Sequence, residues 1–158
     1  MYYKLIFILF TTLMGQSNCY SIETSSSIDF KNYMINTINT ANETVDALIY
    51  KFDSKDIFNT FENLGERGVK FRFICDKNSY DFASNLKKYG SIKKFESEKY
   101  TKLHAKATLI DKKTLIIGSS NFDKTSLTTN LEILLVLNNN DTTNNFLNIF
   151  NNLWYSLL

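Results

Sequence analysis

The chain has 158 residues, a hydrophobic fraction of 44%, an aromatic fraction of 15% and a net charge of +2. That is one domain's length with enough apolar side chain for a core, which excludes an intrinsically disordered chain. Two cysteines exclude a disulfide framework, and so small a net charge singles out no class of partner.

The amino end reads separately from the rest. Lys4 precedes the apolar run Leu5–Phe10, then Leu13 and Met14, then the small polar stretch Gly15–Cys19. This is the layout of a secretory signal peptide over residues 1–19, which implies a secreted or periplasmic protein. The alternatives are an uncleaved membrane anchor, for which about ten apolar residues are short, and a buried N-terminal strand. Residues 20–27, rich in serine, read as a linker, and residues 28–158 as a single catalytic domain.

Phe30, Met34 and Ile38 recur at helical spacing, with Ser27 or Asp29 as the cap. Val45–Phe52 is a buried strand. Ser54 caps a second helix whose apolar face is Ile57, Phe58, Phe61 and Leu64, and which stops between Gly65 and Gly68. Val69–Cys75 is the next strand, with Cys75 as a small core residue. Phe82, Leu86 and Tyr89 mark a third helix, and Ile92–Phe95 a short strand. Leu103–Ile110 and Thr114–Ile117 form a hairpin about Asp111, Lys112 and Lys113. Leu131–Leu137 is an apolar strand carrying Glu132, and the turn Asn138–Asp141 leads to a last helix with Phe146, Phe150, Leu153, Trp154 and Leu157 inward. Alternating strands and helices followed by adjoining strands give an α/β fold: a mixed sheet flanked by helices on both faces.

Charge is unevenly spread. Lys87 to Lys124 holds ten lysines against four acidic residues, a local +6, whereas residues 22–86 sum to −3 and residues 125–158 to −2. Such a belt attracts a polyanion; it is also what an ordinary solvated lysine surface looks like. At its centre lies the only histidine, His104. On a strand His104 and Lys106 point to one face, followed by Thr108. A lysine in so apolar a segment is costly unless it has a partner. Asp111 reads as a turn residue that supports the basic pair. Gly118 permits close backbone approach, and Ser119 and Asn121 add a hydroxyl and an amide. Glu132, a lone carboxylate on an apolar strand, also needs a partner, and the His104 imidazole is the expected one.

The pattern His-x-Lys-x4-Asp-x6-Gly-Ser-x-Asn, as His104, Lys106, Asp111, Gly118, Ser119 and Asn121 with Glu132 downstream, resembles the signature of the phospholipase D superfamily. The likeness extends through Ala47–Phe52, Glu66–Lys70 and the aromatic last helix to the small single-motif members. It implies the mixed-sheet fold above and a site that pairs two motifs. A chain with one motif must then form a homodimer, with two copies of His104 facing one phosphate. The resemblance implies His104, Lys106, Asn121 and Glu132 as catalytic residues, Ser119 and Asp111 as phosphate-binding or supporting residues, a phosphohistidine intermediate, and no cofactor. One histidine and one free cysteine make no metal set.

Three functions fit. The first is a secreted, metal-independent endonuclease of low specificity, with nucleic acid as substrate. The second keeps the chemistry but acts on a phospholipid. The third is an inactive nucleic-acid-binding module, against which the intact site residues speak.

Overall fold

The computed structural model describes residues 20–26 and 28–157. The expected leader, residues 1–19, and the alternative cap Ser27 lie outside the described residues. Twelve elements follow in chain order: β1 (Tyr20–Thr24), α1 (Phe30–Asn39), β2 (Thr44–Ile49), α2 (Lys55–Glu66), β3 (Lys70–Cys75), α3 (Lys77–Ser84), β4 (Gly90–Lys94), β5 (Ala107–Ile110), β6 (Thr114–Gly118), α4 (Lys124–Thr128), β7 (Ile133–Leu137) and α5 (Asn140–Ser156).

Seven strands make one mixed sheet in the order β1-β7-β6-β5-β2-β3-β4. The strands β2, β3 and β4 run parallel, joined by helical crossovers, and the remaining pairings are antiparallel. Strand alternation divides the core in two. Val45, Ala47, Ile49, Ile110, Ile116 and Leu134 face Met34 and Ile38 of α1 and Ile57, Phe61 and Leu64 of α2. Leu48, Ile74, Leu109 and Leu115 face Phe146, Phe150 and Trp154 of α5. Each large side chain so buried contributes about 1.5–3 kcal/mol. Helices therefore cover both faces, as the element pattern requires.

Local chemistry sets the ends of the elements. The Asp29 carboxylate accepts the Asn32 N–H at 3.2 Å to cap α1, and Ser54 Oγ accepts the Ile57 N–H at 3.4 Å to cap α2. Gly68, with φ of 93°, carries the chain from α2 into β3. On the α5 face Arg72 makes two 2.7 Å bonds to the buried Asp46 carboxylate and one of 2.9 Å to Asn151. Its guanidinium lies 5.0 Å from the centre of the Phe150 ring, which ties the helix to the sheet.

Five expectations need correcting. The third helix ends at Ser84, so Leu86 and Tyr89 fall in the turn that follows it. Residues 20–27, expected as a linker, begin with strand β1, which pairs antiparallel with β7 from Tyr20↔Leu137 to Thr24↔Ile133. An edge strand needs backbone bonds on one side only, so serine and glutamate do not exclude it. The strand expected from Leu103 starts at Ala107, which places His104 and Lys106 in an extended lead-in without ladder bonds. The strand β7 starts at Ile133, so Glu132 immediately precedes it. The strand expected to Phe52 ends at Ile49, and Phe52 instead forms an isolated parallel bridge with Phe122.

Candidate active site

The site forms where the lead-in to β5, the end of β2 and the loop after β6 meet. Asp76, 1% exposed at the end of β3, sets the lead-in: its carboxylate accepts the Leu103 N–H at 3.0 Å, one residue before His104. The exposed His104 then stands beside Lys106. Lys106 Nζ donates to the His104 carbonyl at 2.9 Å and lies 3.3 and 3.5 Å from the two ring nitrogens. Near-equal distances place the ammonium beside the ring instead of in line with one lone pair.

Among the described residues no carboxylate lies within ion-pair distance of Lys106, whereas neighbouring Lys51 is held by Asp123 at 3.0 Å and Asp53 at 3.6 Å. Partial burial pulls the Lys106 ammonium below the ordinary lysine value of 10.5, against the opposing pull of the Glu132 and Asp123 charges. A desolvated cation without a counter-ion suits an anionic ligand.

His104, Ala105, Lys106, Ile117, Gly118, Ser119 and Phe146 line an open depression of about 800 Å³. Lys106 and Gly118 also line the adjoining cleft with Tyr50 and Asn121. The Asn121 Oδ1 is buried there and, among the described residues, has no hydrogen-bond partner. Gly118 is required by contact, because a Cβ there would strike the Ile133 carbonyl oxygen across the β6–β7 pair.

Glu132 departs from expectation. It is 7% exposed, and its carboxylate is held by the Ser119 hydroxyl and, at 3.1 Å, by the Asn130 amide. The expected imidazole partner is replaced by these two donors. Ser119 also accepts the Ile133 N–H at 3.1 Å, so it braces the acid and the start of β7. Asp111 lies outside the cluster, at the far end of β5. Its carboxylate accepts the N–H groups of Asn42, Glu43 and Thr44 at 2.9, 2.8 and 2.9 Å. With Asp111 at φ 50° and Lys112 at 58°, the turn is of the mirror-image hairpin kind. Asp111 thus supports the sheet, away from His104 and Lys106. Thr108, expected beside Lys106, is buried within the sheet.

Two residues were missed in the sequence, Asp76 and Tyr50. The Tyr50 ring centre lies 4.3 Å from that of His104 at an interplanar angle of 51°, with Lys106 Nζ 4.7 Å from its own centre. The signal was the β2–β5 register: Leu48 pairs with Ala107, so the residues following β2 run alongside those preceding β5. No group of three His, Cys, Asp or Glu among the described residues could hold a metal ion, and no helix among them is long and apolar enough to cross a membrane.

Residues 34–154 match the model of the family described as cardiolipin synthase, PLD-like domain. The mitochondrial cardiolipin hydrolase of Mus musculus is 25% identical over 126 residues, which cover 77% of this chain and 56% of that protein. The chain spans about half the length of the curated relatives it matches. Among solved structures, NucT from Helicobacter pylori superposes with a TM-score of 0.77 at 24% identity, over 90% of this chain and 99% of the other. Nuc from Salmonella typhimurium, a phospholipase D family member, gives 0.74 at 20% identity over 90% and 97%. These structural likenesses establish the fold.

Proposed function

Given that this chain belongs to the phospholipase D-like domain family, matched across residues 34–154, we propose that it is a metal-independent phosphodiesterase that cleaves DNA or RNA with little sequence preference. The observation that carries this reading is the Lys106 ammonium, without a carboxylate partner among the described residues, against the exposed His104 ring. Both sit in the middle of a segment with ten lysines and four acids. A phosphate of a polyanion is attracted to that segment and bound at its centre.

In the proposed reaction a neutral His104 attacks phosphorus, and the bond from phosphorus to the leaving oxygen breaks. A second, protonated imidazole gives its proton to that oxygen. The same imidazole, now a base, takes a proton from water as the water displaces His104 from the phosphohistidine. Lys106 and the Asn121 amide stabilise charge on the nonbridging oxygens, a role in which loss of one donor costs about 10²–10³ in kcat.

One histidine per chain supplies one of the two imidazoles, so the site is completed by a second copy. An apolar part of the sheet beside α5, exposed among the described residues, supports this: Ile22, Ile117 and Ile133 are 59%, 41% and 51% exposed around the partly buried Leu135. Secretion is part of the proposal, supported by the Leu5–Phe10 run behind Lys4.

A phospholipid substrate is the second reading. It is favoured by the apolar side of the depression, where Leu48, Ala107, Ile117 and Phe146 adjoin His104, and by the cardiolipin hydrolases among the relatives. The purified protein, in excess chelator, is offered single- and double-stranded DNA, RNA and cardiolipin vesicles. Cleavage of nucleic acid, abolished in His104→Ala, is expected. Cleavage of lipid alone overturns the substrate, and activity that needs a metal overturns the mechanism. A fully active monomer in sedimentation overturns the two-copy site.

A further inference from the structure

Among the described residues no carboxylate orients the His104 imidazole, Glu132 being taken up by Ser119 and Asn130. The backbone around His104 offers little rigidity of its own, since residues 102–106 lie outside the sheet ladder. A nucleophile must nevertheless be held close to its line of attack. Lys106 and Tyr50 both lie against the ring.

Tyr50 is built on a rigid frame. Its carbonyl accepts the Ser79 hydroxyl at 3.0 Å, and that hydroxyl oxygen accepts the Phe52 N–H at 2.9 Å. The Ile49 carbonyl before it accepts the Asp76 N–H at 2.8 Å, and the Lys51 carbonyl after it accepts the Phe122 N–H at 3.1 Å. The residues on either side of Tyr50 are thus clamped to α3 and to the loop carrying Asn121. From this base the ring meets His104 at 4.3 Å, Lys106 Nζ at 4.7 Å and Lys102 Nζ at 5.8 Å. Among the described residues the phenol hydroxyl makes no hydrogen bond, so the face of the ring is the working part. Its negative π-cloud attracts both ammonium groups and its edge and face pack the imidazole.

We propose that Tyr50 is a positioning residue, whose ring fixes the His104 imidazole and the Lys106 ammonium relative to each other so that both meet one phosphate. The proposal rests on the phosphodiesterase reading above. It predicts that ring and hydroxyl separate: any residue with a six-membered aromatic face serves, and an aliphatic one of equal bulk does not.

The test uses the full chain with Tyr50→Phe, Tyr50→Leu and Tyr50→Met, the last a flexible replacement that keeps the protein folded if leucine does not. Cleavage kinetics are read beside the imidazole proton resonances of His104, which are unambiguous because the chain has one histidine. Tyr50→Phe should keep kcat within about twofold and leave the resonances shifted by the neighbouring ring. Tyr50→Leu and Tyr50→Met should lower kcat by about 10- to 100-fold with KM little changed, and the resonances should move to unstacked positions. Full kcat in the aliphatic variants overturns the proposal, as does an equal loss in Tyr50→Phe, which would make the hydroxyl the acting group. A wild-type protein inactive on every phosphodiester removes the function and this role with it. Unmoved His104 resonances in an active wild type's Tyr50→Leu variant remove the positioning role alone.

Discussion

Ser119 and Glu132 hold one another across the junction of β6 and β7: the hydroxyl donates to the carboxylate while its oxygen accepts the Ile133 N–H at 3.1 Å. A buried acid, a strand start and the loop leading to Asn121 therefore share one side chain. Ser119→Ala leaves the carboxylate with one side-chain donor and takes the acceptor from the Ile133 N–H. The expected cost is about 1–3 kcal/mol in urea unfolding, with kcat reduced through displacement of Glu132 and the loop. An unchanged unfolding midpoint would show that Glu132 finds its donors elsewhere.

The Lys106 ammonium is destabilised by burial and titrates below its ordinary 10.5. In the proposed reaction its charge holds phosphate, so kcat/KM should fall on the alkaline side before a normal lysine would deprotonate. Lys106→Arg, which stays charged throughout, should move that limb upward, and Lys106→Met should remove it together with most activity. A pH–rate profile from about pH 7 to 11 reads all three. The same limb in wild type and Lys106→Arg would assign the titration to another group.

Asp111 titrates below 3.8: burial raises it, but the N–H groups of Thr44, Glu43 and Asn42 and the Lys113 charge outweigh burial. The folded value lies below the unfolded one, so its contribution is present above pH 3.8 and is lost as pH falls through the folded value. Asp111→Asn keeps a residue tolerant of positive φ and should cost about 1 kcal/mol at neutral pH, the turn being partly solvent-screened. The difference from wild type should vanish in acid. Activity per folded molecule should stay unchanged, since the carboxylate braces β2 and not the phosphate; a selective loss of kcat would return Asp111 to the site.

Burial and the adjacent Asp76 charge push the Cys75 thiol up to about 12. In a Cys19→Ser background the folded protein should therefore resist thiol reagents at pH 8 and react on addition of denaturant. Rapid labelling of the native protein would mean that the end of β3 opens readily.

Much of this was legible in the sequence because it is local. Met34 and Ile38, or Ile57, Phe61 and Leu64, each encode a helix face within two turns, and the site residues His104 to Glu132 fall in one short stretch. What was illegible depends on pairing. The residues Tyr20–Thr24 contain few apolar side chains, and an edge strand is held chiefly by its backbone, so no pattern marks it. Glu132 is correctly expected to need a partner, but burial alone cannot choose between an imidazole and a hydroxyl; the β6–β7 register brings Ser119 there. Tyr50 approaches His104 only because β2 and β5 are antiparallel neighbours, which composition and periodicity do not express.

The strand β1 has one more consequence. Beyond it, Ser25 is clasped to the acid: its N–H donates to the Glu132 carbonyl at 3.1 Å, and its Oγ accepts the Glu132 N–H at 2.9 Å and donates to the Asn130 carbonyl at 2.8 Å. Loss of residues 20–25 would remove β1 and unfasten the backbone of Glu132. A strand that carries no side chain of the site thus holds the main chain on which the acid stands.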